Sequence, residues 1–321
     1  MTLPDARAPS RRRLLLQAVP ALGACVAGGC AAWRPAPVAL APPPPAAMPP
    51  PAPVPPPRPP RIGLALGGGA ARGFAHVGVI KGLEALGIRP DLVVGTSAGS
   101  VVGALYASGL SGFDLQRVAL QMDEGMFADW SLPSRGVLKG EALQDFVNQA
   151  LERKPIEALQ RKLAIVATDL QSGEMIVFER GNAGQAVRAS SSVPGVFQPV
   201  PIAGRDYVDG GLVSPVPARI ARRLGADVVI AVDISTRPEH QPTSGLFDVL
   251  MQTFTIMGHS IAALELADAD VVIRPGLATG STDFQARNLA ILEGEQAVAA
   301  MSRRLDDVLR KARAGASAAP S

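Results

Sequence analysis

The sequence predicts an α/β fold, a three-layer α/β/α sandwich around a mostly parallel sheet, and three observations carry that prediction. From Arg61 onward, short apolar runs alternate with helical patterns. The runs are apolar throughout rather than at every second residue, the character of strands buried on both faces. Two of the helical patterns stop at a glycine, Gly87 and Gly225, which is how helices commonly end.

In chain order, strands are expected at 62–66, 92–94, 163–167, 175–178, 228–232 and 271–273, with a shorter one at Tyr207-Val208. The helix after the first strand reads from the spacing Phe74, Val77, Ile80, Leu83 and Leu86. Others are expected at 100–108, 142–151, 218–224 and 249–266, and a long one at 288–314 closes the domain. Residues 315–321 read as a loose tail.

Residues 1–24 have the form of an export signal. Arg11-Arg12-Arg13 precede an apolar stretch, 14–22, that is too short to span a bilayer. Ser10 to Leu15 resembles the twin-arginine pattern, the alternative being an ordinary basic n-region. Both cysteines, Cys25 and Cys30, lie here, so the remaining 291 residues have neither a disulfide framework nor a cysteine metal site. Leu22-Gly23-Ala24-Cys25 resembles a bacterial lipobox, with Cys30 as the alternative lipidated residue and plain cleavage as a third reading. Residues 25–60 would then be a lipidated cysteine plus a tether. Fifteen prolines between Pro35 and Pro60 prevent helix and sheet, and as polyproline II the segment reaches about 80 Å. The folded domain is expected at 61–314, with the protein exported to the periplasm, anchored to the bacterial cell envelope and meeting the membrane surface through its lipid.

The net charge of +3 is misleading. Arg7, Arg11, Arg12, Arg13 and Arg34 against Asp5 put the excess in the first 34 residues and leave 26 basic and 27 acidic groups elsewhere. No nucleic-acid partner is indicated.

Gly95-Thr96-Ser97-Ala98-Gly99 follows the second strand and opens a helix, the setting of a nucleophilic serine on a sharp turn with small flanks, Gly95 and Gly99. Gly67-Gly68-Gly69-Ala70-Ala71-Arg72-Gly73 follows the first strand. A nucleotide P-loop is excluded for lack of a Gly-Lys-Ser/Thr ending. A dinucleotide site is excluded because the second strand ends at Ser97 where a ribose-binding acid is needed. An oxyanion hole remains, with N–H donors worth about 3 kcal/mol each. Arg72 either fixes this loop or attracts an anionic head group. Asp209-Gly210-Gly211 places an aspartate in a tight loop after a short strand. As base, the alternatives are Asp209 alone or a triad with His76, His240 or His259. Asp123, Glu124 and Asp129 read as a solvated acidic loop, so no metal and no cofactor are expected. Met126, Phe127 and Trp130 beside them read as packed core or as a membrane-touching lid.

These motifs, in this order, resemble bacterial patatin-like phospholipases over residues 61–312. Gly136 to Gly140, Ala167-Thr168-Asp169-Leu170 and Arg188 to Gly195 are similar too. The resemblance implies a phospholipase A or lysophospholipase-type esterase. In it Ser97 is the nucleophile, Asp209 the general base, and Gly67, Gly68, Gly69, Ala70, Arg72 and Gly73 the oxyanion loop. The substrate it implies is a lipid acyl ester, a phospholipid or lysophospholipid. Many relatives have one residue fewer between the glycine triplet and the arginine. The competing functions are a Ser-His-Asp esterase for small esters and an envelope module that binds lipid or protein without turnover.

Overall fold

A computed structural model describes residues 58–122, 138–240, 243–276 and 285–317, without the side chains of His240, Ala316 and Ser317. The export signal, Cys25, Cys30, most of the tether, and the loop carrying Asp123, Glu124, Met126, Phe127, Asp129 and Trp130 lie outside the described residues.

The strands are β1 (Ile62–Leu66), β2 (Leu92–Thr96), β3 (Lys162–Asp169), β4 (Met175–Phe178), β5 (Val200–Ile202), β6 (Arg205–Asp209), β7 (Val228–Val232) and β8 (Val271–Ile273). The helices are α1 (Phe74–Ala85), α2 (Ala98–Ala107), α3 (Gly112–Gln121), α4 (Glu141–Ala150), α5 (Ala183–Ser190), α6 (Ala218–Arg223), α7 (Leu246–Glu265) and α8 (Arg287–Ser317). The final helix runs to Ser317, so three residues expected in a loose tail are helical. Helix α3 has no counterpart among the expected helices. Its start is nevertheless written in the chain: Ser111 and Asp114 form a capping box that satisfies two backbone donors reciprocally.

The sheet order is β5-β6-β3-β2-β1-β7-β8, with β4 also paired to β3. β1 pairs in parallel with β2 and β7, β2 with β3, and β7 with β8. The antiparallel pairs are β3 with β4 and β6, and β5 with β6. Alternate residues of β1 enter different cores, which makes the three layers. Leu64 and Leu66 pack with Val79, Ile80, Val102, Ile291 and Val298 of α1, α2 and α8. Ala65 packs with Ala218 and Ala221 of α6 and Ala262 of α7.

Two features of this topology set the site. Leu66 pairs with Gly95, so β1 and β2 end level with each other and release their two turns side by side at the carboxyl edge. β3 runs further. Val166 faces Thr96, the last residue of β2, while the next residue, Ala167, faces Asp209 of β6; both keep β4 on their other side. β6 therefore continues the line of β2 from the opposite direction, and its last residue arrives where β2 has just turned away.

Candidate active site

Ser97 occupies the turn between β2 and α2 with φ 52° and ψ −122°, a backbone state unfavourable for any residue with a side chain. Its surroundings hold it there. The Ser97 N–H donates to Ser190 Oγ at 2.9 Å, and the Ser190 hydroxyl donates onward to the Val166 carbonyl at 2.6 Å. The Ser97 carbonyl accepts from Ser100 Oγ at 2.6 Å. The flanking glycines are required by space. A Cβ at Gly99 would lie 2.1 Å from the Leu66 carbonyl oxygen, and one at Gly95 would lie 2.5 Å from the Gly99 carbonyl oxygen. The serine itself stays half-buried.

The glycine loop lies directly against this turn, since a Cβ at Gly68 would be 3.2 Å from Ser97 Cβ. Two of its expected donors are engaged elsewhere. The Gly67 N–H donates to the Val232 carbonyl at 3.1 Å and the Gly68 N–H to the Pro215 carbonyl at 3.0 Å. These glycines build the loop; they do not aim a free donor at the serine. The remaining candidates are the N–H groups of Gly69 and Ala70. They open the single 3-10 turn Ala70–Gly73 and have no earlier carbonyl of that turn to reach. Gly73 contributes closeness: a Cβ there would sit 2.8 Å from Ala98 Cβ. Arg72 donates to Thr236 Oγ1 at 2.8 Å and so ties the loop to the segment after β7. Burial lowers its pKa.

Asp209 is 7% exposed. Its backbone is fixed on both sides, the N–H donating to the Ser192 carbonyl at 2.9 Å and the carbonyl accepting from Thr168 Oγ1 at 2.8 Å. Oδ1 accepts the Gly211 N–H at 2.7 Å. Burial raises the carboxyl pKa to about 6, against the opposing pull of the Gly211 N–H and of the Ser97 hydroxyl, both of which favour the anion. The structure thus brings Ser97 and Asp209 within hydrogen-bond reach of each other, with the glycine loop against the serine at Gly68. A Cβ at Gly210 would fall 2.3 Å from the Val166 carbonyl oxygen, which explains a glycine after the aspartate.

His76 and His259 are arranged otherwise. His76 is fully buried in α1, with Nε2 at 2.8 Å from the Gly67 carbonyl oxygen, and burial pushes its pKa down to about 4. A neutral ring donating to that carbonyl supports the glycine loop and is not free to serve as a base. His259 is exposed on α7. Among the described residues no cluster of three His, Cys, Asp or Glu side chains is placed to hold a metal ion.

Behind the site, Thr96 Oγ1 donates to the Ser214 carbonyl at 2.8 Å. Glu265, the last residue of α7, accepts from the Ser214 hydroxyl and, at 3.2 Å, from the Val216 N–H. Burial raises its pKa to about 7, while these two donors and Arg219 act to lower it. Ser190, Ser214 and Glu265 are functional neighbours that the sequence reading did not single out. Ser190 stood inside the 188–195 block, but nothing in its local sequence says that its hydroxyl caps the Ser97 turn.

An apolar cleft opens beside the serine. Ala98 follows Ser97 directly and lines the cleft with Ala70 and Phe74; Val102, Leu105 and Leu115 continue it between α1, α2 and α3. The wall is almost wholly hydrocarbon.

The patatin-like phospholipase family model matches residues 64–222. An uncharacterized NTE family protein of Mycobacterium tuberculosis is 38% identical over 183 residues, which are 55% of this chain and 49% of the relative. Patatin-like phospholipase domain-containing protein 6 of Homo sapiens is 37% identical over 186 residues, 56% of this chain and 14% of the relative. The chain therefore spans about half the length of the mycobacterial relative and a small part of the human one. The crystal structure of VipD from Legionella pneumophila shares the fold, with a TM-score of 0.50 at 15% identity over 78% of this chain and 67% of that one.

Proposed function

Since the chain belongs, over residues 64–222, to the patatin-like phospholipase family, we propose that it is a lipid acyl hydrolase working through a Ser97–Asp209 dyad. The observation that carries the reading is the meeting of β2 and β6 along β3, which gives the serine turn a buried carboxyl of raised basicity as its neighbour. A free aspartate is a poor base; one with a pKa near 6 is better matched to a neutral working pH.

In the first step Asp209 takes the Ser97 hydroxyl proton while Oγ attacks the ester carbonyl. The N–H groups of Gly69 and Ala70 stabilise the oxyanion. Collapse of that intermediate expels the alcohol, which leaves with the proton from Asp209. Water then attacks the acyl-serine, gives a proton to Asp209, and releases the fatty acid as Ser97 recovers its hydrogen. The apolar cleft beside Ala98 supports an acyl chain as the group carried by the ester, and a phospholipid or a lysophospholipid is the substrate expected.

The test is fatty-acid release from phospholipid and lysophospholipid vesicles by the purified full chain. A reading as a binding module is supported instead if no fatty acid appears and a fluorophosphonate leaves Ser97 unlabelled. The export signal and the lipobox-like Cys25, with Cys30 behind it, support work at the cell envelope. Radiolabelled palmitate should enter the parent and be lost on Cys25→Ala.

A further inference from the structure

We infer that Glu265 is a positioning residue for the chemistry at Ser97, acting through residues 214–216; this rests on the reading of Ser97 as the nucleophile. Glu265 ends α7, lies 168 residues beyond the serine and is 6% exposed. Both of its oxygens are used on one short stretch of chain, Oε1 by the Ser214 hydroxyl and Oε2 by the Val216 N–H at 3.2 Å. That stretch in turn holds two parts of the site with consecutive carbonyls. The Ser214 carbonyl accepts the Thr96 hydroxyl at 2.8 Å, and the Pro215 carbonyl accepts the Gly68 N–H at 3.0 Å. Thr96 immediately precedes the nucleophile, and Gly68 is the loop residue pressed against it.

The stretch has few other means of being held. Pro215 and Pro217 have no N–H to donate, and the Ser214 N–H is already given to the Gly210 carbonyl at 2.8 Å. The Val216 N–H is the donor left within 214–217, and Glu265 takes it. A carboxyl is costly to bury, and an apolar side chain would fill the same space more cheaply. What it supplies here is two acceptors on one rigid group, spaced for a hydroxyl and an N–H two residues apart. Removing it breaks both side-chain hydrogen bonds from the end of α7 to the residues beside the carbonyls that set Thr96 and Gly68, and displacements of about 1 Å at such a site reduce turnover on the order of 10²-fold.

The experiment compares Glu265→Ala, Glu265→Gln and Ser214→Ala with the parent, using a short-chain nitrophenyl ester and full-length protein checked for folding by near-UV circular dichroism. Glutamine keeps an acceptor for Val216 and offers an N–H to the Ser214 hydroxyl, so it should preserve the geometry. The expected result is a kcat lower on the order of 10²-fold in Glu265→Ala with KM within about twofold, and recovery of most of that loss in Glu265→Gln. A folded Glu265→Ala with parental kcat, or a Glu265→Gln no better than it, overturns the inference. If Glu265→Ala does not fold, Ser214→Ala replaces it: reduced kcat at unchanged KM beside a near-parental Gln variant supports the role, and parental kcat in both overturns it. A parent that neither turns over ester nor labels at Ser97 overturns the nucleophile reading and this one with it, whereas a parent active through Ser97 isolates the outcome to Glu265.

Discussion

Thr96 and Asp209 occupy consecutive rungs along one strand, facing Val166 and Ala167 of β3. Ser97 leaves the sheet at the first rung, and the aspartate enters at the second from a strand running the other way. Their meeting is fixed by backbone pairing, so side-chain changes at either residue should leave the geometry intact. Ser97→Ala and Asp209→Asn should each lower ester turnover by on the order of 10⁴-fold, and the double variant should be no slower than the worse single one, because the two act as a unit. Single-turnover kinetics of the three proteins checks this, and full additivity would separate their roles.

The pKa of Asp209 carries two predictions of opposite sense. As a base it must be ionised, so kcat/KM should rise with pH through about 6 and then level off. For stability, the folded-state pKa of about 6 lies above the ordinary 3.8, so the fold binds this proton more tightly than the unfolded chain does. That stabilising preference is complete below about pH 3.8 and is lost as pH rises through 6, a difference on the order of 3 kcal/mol. Asp209→Asn should therefore be more stable than the parent at pH 8 and close to it at pH 4. Urea midpoints at the two pH values, compared between the two proteins, isolate Asp209 from Glu265, which shifts in the same direction.

The cleft should set acyl-chain length. Val102 is 8% exposed and lines it on the face of α2 that begins with Ala98. Val102→Phe should lower kcat/KM for a twelve-carbon nitrophenyl ester about tenfold more than for a four-carbon one, since each blocked methylene forfeits about 1 kcal/mol of binding. An equal loss on both esters would remove the cleft from the acyl path.

Ser190→Ala should destabilise more than its size implies. Its hydroxyl accepts the Ser97 N–H and donates to the Val166 carbonyl, so one methyl leaves two interior groups without a partner. The expected cost is about 1–3 kcal/mol, read as a lower urea midpoint at unchanged m-value. Ser190→Thr keeps the hydroxyl and is the comparison that attributes the loss to it.

Much of the fold was legible because burial on both faces leaves a local mark. β1, β4, β7 and β8 begin and end where the apolar runs do, while β2 and β3 extend beyond theirs into Thr96 and Asp169. Both extensions end in a polar residue and so carry no hydrophobic signal, yet the one in β2 supplies Thr96, which faces Val166 at the first of the two rungs on which the site depends. Helix α3 carries a local mark too, the Ser111–Asp114 capping box at its start. The glycine loop reads as one unit in the sequence, although Gly67 and Gly68 spend their N–H groups on Val232 and Pro215, partners far along the chain.

By itself the sequence determined that Ser97 stands on a strand-to-helix turn, that a glycine-rich turn follows the neighbouring strand, and that Asp209 sits in a tight loop. These are properties of a few consecutive residues, set by side-chain size, backbone freedom and apolar runs. Only the tertiary structure decided that β6 pairs antiparallel with the end of β3, bringing the aspartate to the serine. It also decided which loop donors remain free, that His76 supports a carbonyl, and that Ser190 and Glu265 hold the site. Those outcomes depend on which backbone carbonyl or N–H lies within about 3 Å after folding, and hydrogen-bond partners separated by some tens of residues or more leave no pattern in the local sequence.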